Sequence, residues 1–179
     1  MRLQCARSIG RALAPEQASA ALPILSYKAR FDPASQVRIE AIHALGEIGG
    51  EAALSFLIEL YTKKEDPPAT REAALAVLVA RALPGSLDAI RSVVEDEWKA
   101  ADRRTLEATA RALSGAVGAS LETLFLRLLE SANPVIRVYA IRGIAGNTIV
   151  GCKARLRDLS EKDPSPAVRA EADRALAKL

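Results

Sequence analysis

The chain has 179 residues, of which 50% are apolar and only 4% aromatic, so its core must be built from small and medium aliphatic side chains. Lysine and arginine exceed aspartate and glutamate by 25 to 22, and this small excess gives no reason to expect nucleic acid or a membrane as a partner. The longest apolar run, residues 73–80, is far shorter than the roughly 18 residues that cross a bilayer. We therefore expect a soluble, cytoplasmic protein that is rich in helix.

Five arginines mark a repeat along the chain. They lie 33, 33, 33 and 32 residues apart, a regularity that is hard to obtain by chance. The first and the last of them end the same kind of segment, in which Asp-Pro is followed at the same distance by Val-Arg; it begins at Asp32 and again at Asp163. The period defines a structural repeat of two elements. These register arginines are Arg38, Arg71, Arg104, Arg137 and Arg169.

Each repeat is predicted to open with a helix. Small or apolar residues follow the register arginine at the third, sixth and seventh positions, as Ala41, Ala44 and Leu45 follow Arg38, and this spacing describes one face of an α-helix. An Asp or Asn that precedes Pro is expected to cap the helix, with Pro at the first helical position.

Turn formers separate this first helix from a second one. They include Gly46, Gly49 and Gly50 in the second repeat and Gly143 and Gly146 in the fifth. Beyond the turns, apolar residues recur again with helical spacing, which predicts a second helix in each repeat. The paired positions are Leu57 and Leu60, Ile90 and Val93, and Leu156 and Leu159.

Such a hairpin cannot bury its own apolar stripe, so it must stack on its neighbours. The sequence predicts an all-α fold, a right-handed α-solenoid of about five and a half stacked hairpins that forms a single domain over residues 1–179. The first repeat begins at its register position and the last has one helix, which leaves open that the array is a piece of a longer one.

The residues of the second repeat identify the type of solenoid. Asp32-Pro33, Val37-Arg38 and Ala44-Leu45-Gly46 closely resemble the HEAT-like repeat of phycobilisome lyases. The resemblance covers essentially the whole chain and is weakest in the fourth repeat. There Glu107 stands where Ala is expected, and either Ala108 or Ala110 could fill the buried position.

Catalytic chemistry finds little support. The only histidine, His43, occupies a helical position that holds Arg7, Arg142 and Arg174 in other repeats, so a solvent-exposed residue is expected rather than a base or ligand. One histidine and two distant cysteines offer no metal site. We therefore predict a protein that is not an enzyme and needs no cofactor or metal.

Other single residues also have a structural interpretation. Cys5 and Cys152 align with alanines and are predicted to be buried. Tyr61 and Trp98 end second helices, where their rings would cover the seam between repeats, although a binding role is an alternative. The acidic run 95–97 is expected to be a solvated face.

The register arginines are also interpreted as structural. A planar guanidinium can bridge to an acid or to carbonyl groups of an adjoining repeat. The alternative, a ladder of cations that binds a ligand, is less favoured. The residues predicted to hold the register are Asp32, Arg38, Arg71, Arg104, Arg137, Asp163 and Arg169.

One stretch is strongly basic. Residues 127–157 contain six cations and a single acid, Glu130. An acidic protein segment, a phosphorylated peptide or a nucleic acid could be attracted there, although an ordinary mixed surface is an equal alternative. The candidate partner-binding residues are Arg127, Arg142, Lys153, Arg155 and Arg157.

Three functions follow from these observations. The first is a non-catalytic interaction or scaffold module that binds a protein on the concave surface of its helices. If the basic stretch takes part in binding, that protein is acidic. The second is a phycobilin lyase-like enzyme subunit, which is implied only by the resemblance. The third is DNA binding, which is disfavoured because the chain has one Trp and a short basic stretch. A monomer and an end-to-end dimer both stay open.

Overall fold

The computed structural model describes residues 15–81, 84–99, 104–116 and 121–179, and the regular structure in these ranges is helical, without a strand. The predicted all-α class is confirmed. The predicted first helix of the first repeat, with Cys5 and Arg7, lies outside the described residues. The α-helices are α1 (Pro15–Phe31), α2 (Ser35–Ile48), α3 (Gly50–Thr62), α4 (Pro68–Arg81), α5 (Pro84–Trp98), α6 (Arg104–Ser114), α7 (Glu122–Leu129), α8 (Pro134–Gly146), α9 (Lys153–Lys162) and α10 (Pro166–Leu176); a 3₁₀ turn, Val150–Cys152, precedes α9.

The helices form the predicted hairpins and divide into two compact units, Met1–Ile90 and Arg91–Leu179. In the first unit α1 packs on α2, α3 packs on α4, and the first helices α2 and α4 pack on each other. In the second unit α7 packs on α8 and α9 on α10, while the first helices α6, α8 and α10 pack in a row. Each unit therefore repeats the same packing from one hairpin to the next.

The first helices bury a recurrent stripe. In α4 the side chains of Ala74, Leu75 and Leu78 are at most 1% exposed, and they follow Arg71 by three, four and seven positions. Small residues at the third position let neighbouring helices approach closely, and the larger residues fill the space between them. The same positions are buried in α2 and α8: Ala41, Ile42, Leu45, Ala140, Ile141 and Ile144.

The fourth repeat departs from the predicted register. Arg104 is exposed at the first residue of α6, so it is not the equivalent of Arg71 or Arg137, which are each 8% exposed. The buried residues of α6 with the common spacing are Leu106, Thr109, Ala110 and Leu113. Thr109 therefore takes the position for which Ala108 and Ala110 were considered. The equal spacing of the arginines gave a wrong prediction for Arg104, because the loop before α6 and the loop after it are not of equal length.

Two predicted turn formers lie inside helices instead. Gly46 is buried in α2 and Gly143 in α8. A Cβ atom at Gly46 would collide with Val77 of α4, and one at Gly143 would collide with the ring of Phe125 on α7. Close packing of a neighbouring side chain requires these glycines. The turn between α2 and α3 is made by Gly49 and Gly50, as predicted, with φ values of 68° and 78°.

The predicted helix cap is correct at only one of four sites, and Asp66 is not the cap of α4, which begins at Pro68. Asn133 caps α8, because its side chain accepts a hydrogen bond from Val135 N and Pro134 is at the helix start. Asp32 and Asp163 lie one turn earlier, ahead of α2 and α10, which begin at Ser35 and Pro166. The two aspartates close the preceding loop instead, by a contact that includes the register arginine.

This contact recurs in three loops, and we call it the loop clamp. The register arginine donates from Nη1 to the carbonyl oxygen six residues earlier: Arg38 to Asp32 at 2.8 Å, Arg137 to Ser131 at 2.7 Å and Arg169 to Asp163 at 2.6 Å. The side chain at that earlier residue accepts the backbone N–H two residues on, at 3.0, 3.3 and 2.8 Å respectively. One arginine therefore fixes the loop that leads into its own helix.

The clamp of the third repeat differs. There the residue four positions before Arg71 is Pro67, which has no N–H to donate to a side chain. Arg71 instead donates from Nε to the carbonyl oxygen of Tyr61 at the end of α3, at 3.0 Å. The arginine thus holds the end of the preceding helix.

Asp163 links two consecutive repeats. Its carboxylate accepts two hydrogen bonds from Arg137, at 2.7 and 2.9 Å, and both side chains are almost fully buried. A planar guanidinium suits this bidentate contact. The backbone carbonyl oxygen of Asp163 accepts the hydrogen bond that Arg169 donates in its loop clamp. The sixth repeat is therefore tied to the fifth by one buried charge pair.

Replacing Ala140 by Asp should place an unpaired carboxylate among the packed first helices. We expect the free energy of unfolding to fall by about 3 to 5 kcal/mol, measured by urea denaturation, and Ala41→Asp should behave in the same way. Ala154→Asp on the exposed side of α9 is the control. Equal stability of Ala140→Asp and Ala154→Asp would contradict the packing of α8.

Removing the charge of Asp163 should leave Arg137 buried without its counter-ion. We expect Asp163→Asn to lower the unfolding free energy by about 3 kcal/mol. Asp158→Asn, which alters an exposed ion pair on α9, should change stability little. The linkage between repeats would be refuted if the two variants unfolded at the same urea concentration.

Candidate functional site

Helix α1 exposes a stripe of large apolar side chains, which we call the α1 stripe. Ile24, Tyr27 and Phe31 are 60, 61 and 62% exposed. Their spacing of three and four residues places them on one side of the helix. Leu25 and Ala29, on another side, are at most 1% exposed in the packing with α2. Helix α1 is therefore apolar on two sides, of which only one is used by the described core.

The stripe ends in an aromatic pair at a position that holds a pair of charges in two other repeats. The ring centroids of Tyr27 and Phe31 are 5.2 Å apart with an interplanar angle of 47°. Tyr27 and Phe31 follow the buried Leu25 by two and six residues. At the same distances from their own buried leucines, α3 has Glu59 and Lys63, and α9 has an aspartate and a lysine.

Those equivalents are ion pairs with N–O distances of 2.6 Å in α3 and 2.8 Å in α9. A pair of charges suits a helix surface that faces water. An aromatic pair at the same place leaves apolar area exposed without an evident structural purpose. Large exposed patches of this kind mark interaction surfaces.

The charges that border the α1 stripe are neutralised within the chain. Arg30 pairs with Glu59 at 3.2 Å and with Asp66 at 3.5 Å, and its guanidinium lies 5.1 Å from the centre of the Phe56 ring. The pKa of Glu59 is lower than usual, first because Lys63 donates a hydrogen bond to its carboxylate. The rim of the stripe is therefore polar and close to neutral.

The α1 stripe lies before the first register arginine, Arg38, so the repeat pattern did not predict it. The available signal was the spacing of Ile24, Tyr27 and Phe31 beside Leu25 and Ala29. Two interleaved apolar stripes on one helix exceed what a single packed face requires.

The predicted basic residues are not one patch. Arg127 on α7 donates to both carboxylate oxygens of Glu95, at 2.9 and 3.1 Å, and to Glu130 at 2.7 Å. Its guanidinium lies 4.0 Å from the centre of the Trp98 ring. The pKa of Arg127 is raised, first by the hydrogen bonds to Glu95. All of these partners of Arg127 belong to the second unit.

Three of the predicted residues share α9. Lys153 donates from Nζ to the backbone oxygen of Leu179 at 2.6 Å, and Arg155 pairs with Asp158 at 2.9 Å. Arg157 is exposed and has no side-chain partner among the described residues. Arg142, on α8, instead pairs with Glu171 of α10 at 3.2 Å. Among the five predicted residues, therefore, only those of α9 are neighbouring cations on one second helix.

The structure also places the residues that were weighed for other roles. Tyr61 is 1% exposed, which contradicts a binding role, whereas Trp98 is half-buried against Arg127. Glu97 is 5% exposed, so the acidic run is not wholly solvated; its place four residues after Val93 puts it on the packed side of α5.

The residues considered for catalysis or metal binding, His43 and Cys152, belong to different units. His43 is exposed on α2, as predicted. Cys152 is buried, also as predicted, and burial first and the charge of Glu122 second raise the pKa of its thiol. The described ranges contain no group of three or more side chains arranged to hold a metal ion. Nor is any helix within them long and apolar enough to span a membrane.

The fold and these surfaces define an all-α protein of stacked helical hairpins. Residues 1–77 match the family model of HEAT repeats, which confirms the predicted type of repeat. The matched part of the chain, residues 1–77, is therefore of the HEAT-repeat type.

Solved structures give more distant comparisons. An engineered protein with a crystal structure is 19% identical, over 98% of this chain and 89% of that chain, with a TM-score of 0.47. The complex of CpcE and CpcF of phycocyanin lyase from Nostoc sp. PCC7120 is 22% identical, over 97% and 96%, with a TM-score of 0.32. No curated protein shows significant similarity to the sequence. The assignment therefore rests on the repeats and the matched residues.

Proposed function

We propose that this chain is a non-catalytic interaction module that binds a protein partner on the exposed faces of its second helices. The observation that carries the proposal is the α1 stripe, in which three large apolar side chains are each about 60% exposed. Stacked repeats commit their first helices to one another and leave the second helices as a binding surface.

The chemistry of the stripe favours a protein over a nucleic acid as its occupant. Interface centres are rich in aromatic residues and poor in unpaired charge, and their rims are polar. Tyr27 and Phe31 provide the aromatic centre, and the paired Arg30, Glu59 and Lys63 provide the rim. A phosphate backbone would require free cations, whereas Arg30 already has two carboxylate partners. The occupant we propose is therefore an apolar, nearly neutral segment of another protein.

A second contact is proposed on α9. The exposed side of this helix has an excess of positive charge from Lys153, Arg155 and Arg157. The side chain of Arg157 has no partner among the described residues, so no existing contact of it would be broken on binding. Acidic side chains of the partner would bind there and speed association, with a contribution that falls as salt screens it. Arg127 and Arg142 are not part of this contact, because they lie on α7 and α8 and pair with acids of neighbouring helices, Glu95 and Glu171.

The α1 stripe should carry most of the binding energy. A photo-crosslinking phenylalanine derivative at position 27, introduced in the cells of origin, should capture one protein. The same derivative at Ser92, the equivalent exposed position of α5, should not. The captured protein, once purified, should bind Tyr27→Ser/Phe31→Ser with a free energy weaker by roughly 2 kcal/mol, about thirtyfold in Kd.

Circular dichroism of the double variant should match the parent chain, since neither ring is part of the described core. The proposal would be wrong if positions 27 and 92 captured the same proteins, or if the double variant bound the captured protein with the parental Kd.

Charge reversal on α9 tests the second contact separately. Lys153→Glu/Arg155→Glu/Arg157→Glu should slow association with the captured partner by about tenfold at low salt and make the rate nearly independent of salt, with the same helicity. Stopped-flow mixing at two ionic strengths measures both effects. A salt dependence identical to that of the parent chain would remove α9 from the interface.

A further inference from the structure

A pair of arginines on α8 binds a pair of acids that belong to the next repeat. Arg137 binds the carboxylate of Asp163 at 2.7 and 2.9 Å, and Arg142, five residues further on, binds Glu171 at 3.2 Å. Asp163 precedes α10 and Glu171 lies within it, eight residues later. The contact between α8 and the following repeat therefore joins two arginines to two acids, each pair with its own spacing.

The sequence contains these two spacings once more. Arg2 and Arg7, which lie outside the described residues, are five residues apart, and the repeat after them holds Asp32 and Glu40, eight residues apart. Apart from Asp163, no other aspartate of the chain is followed by a glutamate at the eighth position. Both acid pairs thus come one repeat after an arginine pair, which indicates that the two spacings belong together.

A third arginine pair lies on α10 itself. Arg169 and Arg174 have the spacing of Arg137 and Arg142 and occupy the same places in their helix. Arg169 donates from Nη1 to the carbonyl oxygen of Asp163. Its Nε and Nη2, the atoms through which Arg137 holds a carboxylate, have no partner within the described ranges. The part of the guanidinium that binds an acid in the fifth repeat is therefore unoccupied in the sixth.

Arg174 is accessible as well. It pairs with Glu171 of its own helix at 3.0 Å, and its side chain is 65% exposed. A guanidinium has five N–H donors, so Arg174 can bind a further carboxylate without giving up this pair. The exposed face of α10 thus presents two cations in the arrangement that receives two acids on α8.

We infer that the exposed face of α10 is a docking site for a helical hairpin of a partner protein, which Arg169 and Arg174 hold through two carboxylates eight residues apart. The loop clamp orients Arg169 in advance, because its Nη1 makes the same bond to a loop carbonyl that Arg137 makes. A guanidinium fixed in this way can bind a carboxylate with two parallel hydrogen bonds. The site belongs to the second unit and does not involve the α1 stripe.

The two acids of the partner should decide whether it binds. At the position where α8 buries Ile141, α10 has the exposed Asp173. Less apolar area is therefore available on α10, and the charge pairs must supply a larger share of the binding free energy than they do between α8 and α10. A hairpin of the same shape without the acids should not bind.

A tethered hairpin serves as the probe. A copy of residues 148–179, which contains both acids in their natural spacing, is ligated without ¹⁵N to the intact labelled chain through a flexible Gly-Ser linker of about twenty residues. The linker raises the effective concentration to the millimolar range without itself placing the copy on α10. Hydrogen exchange of the arginine Nε–H groups, followed by NMR, is the measurement.

Docking should slow exchange at Arg169 about tenfold, as expected when the Kd is near one tenth of the effective concentration. Arg174→Gln in the labelled chain should reduce this slowing about threefold, the usual effect of one exposed ion pair. The matched control carries Asp163→Asn/Glu171→Gln in the copy alone and should leave exchange at Arg169 unchanged. Arg137 should exchange slowly in every form, which shows that the chain is folded.

Unchanged exchange at Arg169 with the acidic copy, or equal slowing with both copies, would overturn the inference, and full slowing in Arg174→Gln would contradict the second carboxylate contact. The α1 stripe takes no part in these measurements, so their failure would leave the proposed function untouched.

Discussion

Ala41 and Ala140 lose all contact with water because the first helix of the next repeat packs directly against them. A hairpin has no other means of burying this stripe, since its own second helix covers only part of it. The same close approach explains why Gly46 and Gly143 lie within helices, where a neighbouring side chain occupies the space of a Cβ atom. The small residues of the first helices are thus the constraint from which the spacing of the repeats follows.

The loop clamps complement that apolar contact. Stacking buries the polar backbone of the connecting loops, and each buried carbonyl needs a donor. A register arginine supplies several donors in one plane, and in Arg137 two of them reach the carboxylate of the next repeat. Arg71 keeps the residue type but binds a different carbonyl, because Pro67 alters the loop before it. One side chain therefore serves the same purpose with different partners.

The second helices are less constrained, and they are where the repeats differ. The position that is an ion pair in α3 and α9 is an aromatic pair in α1. This difference alters the apolar surface that the chain presents without altering the packed stripe. A repeat fold can in this way acquire binding surfaces while its stability is left to the first helices.

The sequence by itself determined the period, the two helices of each repeat and the all-α class, because helical spacing and turn residues are local properties. It also predicted that Cys152 is buried and His43 exposed, since equivalent positions share an environment. Only the tertiary structure decided that Arg104 lies outside the register, that Arg127 and Arg142 are already bound to acids, and that the Ile24, Tyr27 and Phe31 side chains are uncovered. The physical reason is that partners of a side chain come from other repeats, and no spacing along one chain segment records which of them reach it.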